Sequence, residues 1–348
     1  MSLAQNPDFD GHEQVVFLTD EAAGLAAIIA IHSTRLGPAA GGCRAATYFS
    51  PDAALTDALR LSRGMSFKNA LAGLPAGGGK AVIYRLGVNG RREAGFEAFG
   101  KAVDELGGIY VTAEDVGTGV PDMEVVARRT RFVAGLPSRP GQAGGDPSPW
   151  TALGVFVALE AAAGRPLAGA RVAVQGLGSV GFKLCERLHQ AGARLVVADV
   201  DRARALQAQD AFGADIESVE RIHAADADVF SPNALGASLS IDTIPELGAP
   251  VVCGGANNQL ATAEDGHRLL ARGVTYAPDY VANAGGVINV MAEYLGEPAD
   301  GVETRVRAIG GRMADLLAQA RAQGLPPHEV ADAMARERIA RRAVEPVP

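Results

Sequence analysis

The sequence predicts an α/β protein of two domains, with C-terminal helices packing back. Three observations carry this expectation. The chain has 348 residues, more than a single core usually serves. Strand-like and helix-like runs alternate through its first third. A stretch rich in Gly, Pro and Ser, "AGLPSRPGQAGGDPSP" at 134–149, then reads as a hinge before a second strand–turn–helix–strand segment. The expected domains are residues 1–133, joined by a C-terminal helix at about 325–348, and residues 134–324.

Composition narrows the function classes. At 48% hydrophobic the chain can bury a sizeable core. Its net charge is −8 and no basic block stands out, which argues against nucleic acid and anionic membranes as partners. No run of 18 uncharged apolar residues offers a membrane span. The start, "MSLAQNPDFDGHEQ", is polar and acidic, unlike a targeting peptide. Cys43, Cys185 and Cys253 are odd in number and far apart, so they fit neither a disulfide framework nor a zinc site. No metal and a reducing cytoplasm are expected.

Along the chain, "EQVVFL" and "LAAIIAIH" read as strands. Ser50 is a candidate N-cap with Pro51 at the first helical position. Ala54, Ala58, Leu61 and Met65 then recur at helical spacing, and Lys68 continues that stripe. A lysine on an apolar stripe either faces the interior, which is unusual, or snorkels to the surface. A glycine loop, a strand "KAVIY", a helix around 93–106 and a strand "GIYVTAED" follow. A helix is expected from about Thr151, and helices again after residue 300.

The segment "GLPAGGGKAVIY", residues 73–84, puts Lys80 behind three glycines. It is not a P-loop: Leu74 stands where the first glycine belongs, and Ala81 offers no hydroxyl to Mg²⁺. Of 32 basic residues only four are lysine: Lys68, Lys80, Lys101 and Lys183. Arginine is always charged, whereas a buried lysine can exchange a proton. Two of the four lysines lying 12 residues apart therefore suggests chemistry, against a chance clustering.

The clearest signal is "RVAVQGLGSVGFKLCERLHQAGARLVVADVD". An apolar strand runs into Gly176-x-Gly178-x-x-Gly181, a helix follows, and a second strand ends in Asp199, 23 residues beyond Gly176. This is the fingerprint of a Rossmann dinucleotide-binding unit. The glycines, with Ser179 and Val180, would bring backbone N–H groups to a pyrophosphate at a helix N-terminus. Asp199 would accept hydrogen bonds from the adenosine ribose hydroxyls and repel a 2′-phosphate, which favours NAD over NADP. Arg202 and Arg204 nearby leave NADP open as a secondary cofactor. The lysines would then face the nicotinamide across a cleft.

"LGPAAGGCR", "RGMSFKNALAGLPAGGGKAVI", "YVTAEDVGT", "VQGLGSVG", "ANNQL" and "APDYVANAGGVINV" together resemble the Glu/Leu/Phe/Val amino-acid dehydrogenase family, most closely its leucine branch. The match runs from about residue 12 to 342 in order and spacing. It implies a substrate and oligomerisation domain followed by the NAD domain, and a homo-oligomer. It also implies oxidative deamination: an L-amino acid, NAD⁺ and water give a 2-oxo acid, ammonium and NADH. By the same resemblance Lys80 is the general base that activates water, and Asp115 handles the amino group and proton transfers. Lys68 binds the substrate carboxylate, with Gly41 and Gly42 beside the substrate. Asn258 lies near substrate and nicotinamide, and Thr151 contacts the nicotinamide amide. A second cation, a dry cleft and NAD⁺ would all help Lys80 give up its proton. Gly77–Gly79 would leave room for the substrate beside it.

Glutamate members carry a lysine at the position of Ala40 and a serine at that of Val290. Neither is present here, and an unpaired side-chain carboxylate would be costly to bury. Val287, Val290 and Ala113 match the leucine branch, with valine and isoleucine also accepted. Ala40 points instead toward the phenylalanine branch. A regulator that binds NAD without catalysis is the alternative of another class; retention of Lys68, Lys80 and Asp115 together argues against it.

Overall fold

The computed structural model describes residues 3–87, 91–234 and 236–341. The chain forms two compact units. The first draws on residues 1–146, 289–300 and 335–348, and the second on 147–288 and 301–334. The division therefore falls later than residue 133. Residues 134–146 stay with the first unit because Glu293 accepts the N–H groups of Gly135 and Leu136, at 3.1 and 2.9 Å, and Asn289 exchanges hydrogen bonds with Gly144. The last seven residues of the expected C-terminal helix, 342–348, lie outside the described residues.

In the first unit, β1 (Gln14–Asp20) pairs antiparallel with β2 (Leu25–Ser33), and β2 pairs antiparallel with the strand at Gly77–Arg85. The short β3 (Ala39–Ala40) and β4 (Cys43–Ala45) precede that strand in the chain and pair parallel with it, so it is β5. β6 (Tyr110–Val111) pairs with β3. The nine residues of β2 are all buried, because both faces of the sheet are covered. Leu25, Ala27, Ile29 and Ile31 enter one core, whereas Ile28 and Ala30 enter the other.

The second core is built on α1 (Pro51–Ala72). Ser50 is its N-cap, accepting from the Ala53 N–H at 3.1 Å, and Gly73 ends it at φ +72°. The buried face differs from the anticipated stripe. Ala54 and Ala58 are buried, but Leu55, Leu59, Ser62, Ser66, Asn69 and Ala70 complete the row. Leu61, Met65 and Lys68 sit half-buried at its side. The polar members are there because they have partners. Ser62 and Ser66 hydrogen-bond with His12 and His32, and Asn69 donates to the Gly77 carbonyl at 2.6 Å.

The expected glycine loop is not a loop. Gly77–Gly79 open β5 and are buried. A Cβ on Gly78 would stand 2.1 Å from the Ser66 nitrogen and 2.5 Å from the Ser62 carbonyl oxygen. Glycine here lets a helix backbone lie on a strand backbone, and the vacated space holds protein, not substrate. The strand expected at 108–115 is regular only at 110–111, and its continuation pairs through single bridges. The helices α2 (Arg92–Glu105) and α3 (Val120–Ala127) cover the opposite face.

In the second unit α4 (Ser148–Ala163) starts three residues before Thr151. The sheet there is parallel throughout, in the order β12-β11-β10-β7-β8-β9. Its strands are β7 (Arg171–Gln175), β8 (Arg194–Ala198), β9 (Asp215–Ile216), β10 (Val229–Pro232), β11 (Val251–Val252) and β12 (Thr275–Tyr276). The helices α5 (Ser179–Gln190), α6 (Arg202–Phe212), α7 (Glu264–Ala271) and α8 (Asp279–Ala282) connect them or follow them. Strand order reverses between β7 and β10, the switch point where open α/β sheets bind ligands. α9 (Gly285–Tyr294), α10 (Asp300–Gln323) and α11 (Pro327–Arg341) close the chain. In the first unit, Arg338 of α11 donates to the carbonyls of Ala70 and Leu71 at the end of α1, both at 3.2 Å.

Candidate active site

The segment 39–45 runs between β5 and the chain at 110–116. β3 occupies one end of this lane and β4 the other, and Gly41–Gly42 interrupts the strand between them. Beyond the interruption, the Cys43 N–H bonds the Ala113 carbonyl at 2.8 Å, and the Ala45 N–H bonds that of Val116 at 2.9 Å. This register sets Arg44 beside Asp115. On β5, Lys80 and Val82 share a face by the two-residue repeat, and Val82 belongs to the core under α1. Lys80 therefore leaves the sheet on the α1 side.

There the side chains converge. The Lys80 Nζ lies 2.9 Å from Asp115 Oδ2, and Lys80 is 5% exposed. The Arg44 Nε donates to the same oxygen at 3.0 Å, and its Nη1 to Asp57 Oδ2 of α1 at 3.1 Å. The Tyr48 hydroxyl donates to that Asp57 oxygen at 2.5 Å. Thr118 holds the Asp115 main chain, its hydroxyl oxygen accepting the Asp115 N–H at 2.9 Å. Burial by itself would push the Asp115 carboxyl up, but the charges and hydrogen bonds of Lys80 and Arg44 overcome it and hold it down at about 2. Asp115 is thus an anion at neutral pH, suited to receive an ammonium group and poorly suited to carry a proton for long.

The other expected residues of the first unit take these places. Lys68 is half-buried in the last turns of α1. Gly41 and Gly42 are buried, and the Gly41 carbonyl accepts the Tyr110 hydroxyl at 2.6 Å. Ala40 and Ala113 are 4% and 8% exposed. Val290 is half-buried on α9, three residues beyond Val287 and so on the same helix face. Arg44, Asp57 and Tyr48 carried no expected role. Arg44 ends the motif "LGPAAGGCR", and a lone charge behind paired glycines was the available signal.

In the second unit the glycine turn fits a dinucleotide. Gly176 has φ +90°, and a Cβ on Gly181 would stand 1.9 Å from the Gly176 carbonyl oxygen, so α5 starts close against β7. At Gly178 a Cβ would meet nothing within 4 Å, which leaves an open approach to the N-terminus of α5. No side chain caps that N-terminus. Ser179 and Val180 form its first turn, exposed and half-buried. Asp199 stands at the end of β8, with its carboxylate accepting the Leu177 N–H of the turn at 2.6 Å and the Asp201 N–H at 2.8 Å. Thr151, in the first turn of α4, donates to the Pro147 carbonyl at 3.1 Å. Asn258 is exposed and adopts φ +54°, uncommon for a residue with a side chain. It is held there by its neighbours: the Ala237 N–H bonds the Asn258 carbonyl at 2.7 Å, and Asp279 accepts the Gln259 N–H at 2.9 Å. Among the described residues no group of three or more His, Cys, Asp or Glu is placed to hold a metal, and no helix is long and apolar enough to cross a membrane.

Comparison with known proteins agrees across the chain. Residues 12–132 match the Glu/Leu/Phe/Val dehydrogenase dimerisation domain. Segments 146–223 and 198–343 match the Glutamate/Leucine/Phenylalanine/Valine dehydrogenase model. The leucine dehydrogenase of Bacillus subtilis is 45% identical over 335 residues, covering 95% of this chain and 92% of the relative. The valine dehydrogenase of Streptomyces virginiae is 45% identical over 340 residues, 95% of either chain. The crystal structure of L-tryptophan dehydrogenase from Nostoc punctiforme superposes with a TM-score of 0.84 at 40% identity, covering 96% of this chain and 98% of the other. The protein belongs to the Glu/Leu/Phe/Val dehydrogenase family of NAD(P)-dependent amino-acid dehydrogenases.

Proposed function

We propose that the protein catalyses the NAD-dependent oxidative deamination of a branched-chain L-amino acid, leucine first, with valine and isoleucine also accepted. The reaction converts the amino acid, NAD⁺ and water to the 2-oxo acid, ammonium, NADH and a proton. The observation that carries the chemistry is the pairing of the buried Lys80 with the half-buried Asp115 at 2.9 Å. When bound, the dinucleotide supplies the hydride acceptor; Gly176, Gly178, Ser179, Val180, Gly181 and Asp199 would hold its adenosine and pyrophosphate, and Thr151 and Asn258 its nicotinamide end. Lys68 provides the permanent cation for the substrate carboxylate. Asp115, an anion at working pH, receives the substrate ammonium and orients it. Lys80 then accepts the proton of the water that attacks the carbon bearing nitrogen. Gly41 and Gly42 bring backbone close to the substrate, and Ala40, Ala113, Val287 and Val290 receive its side chain.

The substrate class rests on those four apolar residues, none of which can pair a charge. The leucine and valine dehydrogenases among the relatives support it. A second reading, an aromatic L-amino acid, is favoured by the small Ala40 and by the tryptophan dehydrogenase among the relatives. NAD is preferred because Asp199 repels a 2′-phosphate, and Arg204 is engaged with Asp201 at 3.5 Å. The dimerisation-domain match supports a homo-oligomer, a dimer or higher even assembly, which light scattering would read.

The test is NADH formation with a panel of L-amino acids. Leucine, valine and isoleucine are expected to be oxidised, glutamate hardly at all, and NADP⁺ to serve poorly. A preference of about tenfold for phenylalanine or tryptophan over leucine, about 1.4 kcal/mol, would install the second reading. Equal use of NAD⁺ and NADP⁺ would overturn the role of Asp199.

A further inference from the structure

We propose that Arg44 is a positioning residue for the reaction: by sharing the Asp115 carboxylate with Lys80, it frees Lys80 to serve as the base. The inference rests on the reading of Lys80 given above. The difficulty it answers is electrostatic. A lone buried lysine 2.9 Å from a half-buried carboxylate forms a tight ion pair, and such a partner favours the charged ammonium. That is the opposite of what a base needs.

The structure supplies the counterweight. Lys80 Nζ and Arg44 Nε meet the same atom, Asp115 Oδ2, at 2.9 and 3.0 Å. A carboxylate oxygen shared by two cations is a weaker partner for each than one held exclusively. Arginine suits the second place because it stays charged and its planar fork can serve two carboxylates at once. Here it does so, with Nη1 on Asp57 at 3.1 Å, and Tyr48 steadies Asp57. The three anchors come from different parts of the chain: β4, α1 and the stretch beyond β6. The side chains of Arg44, Asp115 and Asp57 are only 20%, 20% and 28% exposed, unlike a solvated surface pair.

The other ionisable neighbours do not take this part. Burial pushes the Cys43 thiol up to about 12 and the Tyr110 hydroxyl well above its ordinary value, so both remain neutral. Glu114, next in the chain, is raised by burial and by the nearby charges of Asp146 and Glu293, on the other side. Lys68 is assigned to the substrate carboxylate.

The experiment is the pH dependence of kcat for L-leucine oxidation at saturating NAD⁺ in the whole enzyme, with Arg44→Gln, Arg44→Lys and Asp57→Asn. Arg44→Gln keeps a hydrogen-bond donor and most of the volume but removes the charge. Its kcat near neutral pH should fall about tenfold, with the rising limb of the profile displaced upward by about one pH unit. Arg44→Lys should bring the limb back. Asp57→Asn should move it the other way, to lower pH, because a nearby anion is gone and the Arg44 charge is no longer divided. This second variant decides the matter if Arg44→Gln does not fold. A profile that stays in place in Asp57→Asn and in folded Arg44→Gln would leave Arg44 a structural residue, whatever the loss of thermal stability. The Lys80 reading itself fails separately, through activity of Lys80→Ala.

Discussion

The chain contains two glycine-rich segments that look alike in sequence and differ in use. Gly77–Gly79 before Lys80 and Gly176-x-Gly178-x-x-Gly181 before α5 both suggest a place for a ligand. In the first, the space a side chain would fill is taken by protein: the backbone of α1 lies on Gly78. In the second, two glycines serve packing in the same way, but Gly178 faces open space at a helix N-terminus. Glycine content reports a close approach. Whether a helix or a cofactor makes that approach depends on what the fold brings to the other side.

The largest effect that would break this comparison is at Gly78. Gly78→Ala puts a Cβ onto the Ser66 backbone nitrogen, where no flexible side chain can yield, and should cost about 3 kcal/mol or more. Urea denaturation measures it; a loss below 1 kcal/mol would mean that α1 can lift off β5 freely.

The same packing has a pH signature. α1 lies on the strand through Ser62 and Ser66, which hydrogen-bond with the buried His12 and His32. Burial first, then the charge of His12, lowers His32 from 6.5 to about 4, and burial lowers His12 also. As pH falls below 6.5 the unfolded chain takes up protons that the folded one refuses. Stability contributed by the neutral rings is therefore complete above pH 6.5 and is lost progressively toward pH 4. The His32 part is about 3 kcal/mol. Urea midpoints at pH 8 and pH 5 should differ accordingly, and equal midpoints would contradict the buried neutral pair.

Much of this fold was legible in the sequence. The apolar run of β2, the Ser50–Pro51 start of α1 and the whole β7–α5–β8 unit follow from local patterns, each complete within about 30 residues. The rest depends on contacts that local pattern does not carry. β3, β4 and β6 are two or three residues long, too short for a period to appear. Gly77–Gly79 look like a loop because glycine disfavours strands, and only α1, closing over them, makes a strand the right answer. The core row of α1 contains two serines and an asparagine, whose partners lie on other elements, so an apolar stripe drawn through Leu61 and Met65 was one position off. Lys80 and Asp115, and the Lys68 proposed beside them, were reached through motifs. Arg44 was missed because its value lies in sharing an oxygen with Lys80, 36 residues further along the chain.

Gly178 sharpens the other side of the comparison. Gly178→Ala meets no atom within 4 Å, so stability should change by no more than about 1 kcal/mol, the cost of a poorer N-cap. Dinucleotide affinity, followed by NADH fluorescence, should weaken roughly tenfold, about 1.4 kcal/mol. A stability loss like that at Gly78 with unchanged affinity would invert the assignment of the two segments.

The smallest effect expected is at Ala40. Ala40→Leu adds only apolar volume, so it should shift kcat/KM from phenylalanine toward leucine by on the order of 1 kcal/mol. No change in that ratio would remove Ala40 from the side-chain pocket.

On this reading the glycine strand holds a buried lysine where it can exchange a proton. Turnover of Lys80→Ala at saturating leucine and NAD⁺, with NADH binding measured in parallel, tests it most directly. The expected result is a fall in kcat of roughly 10²–10⁴-fold with dinucleotide affinity unchanged; a variant that binds NADH and turns over near the wild-type rate would remove Lys80 from the reaction.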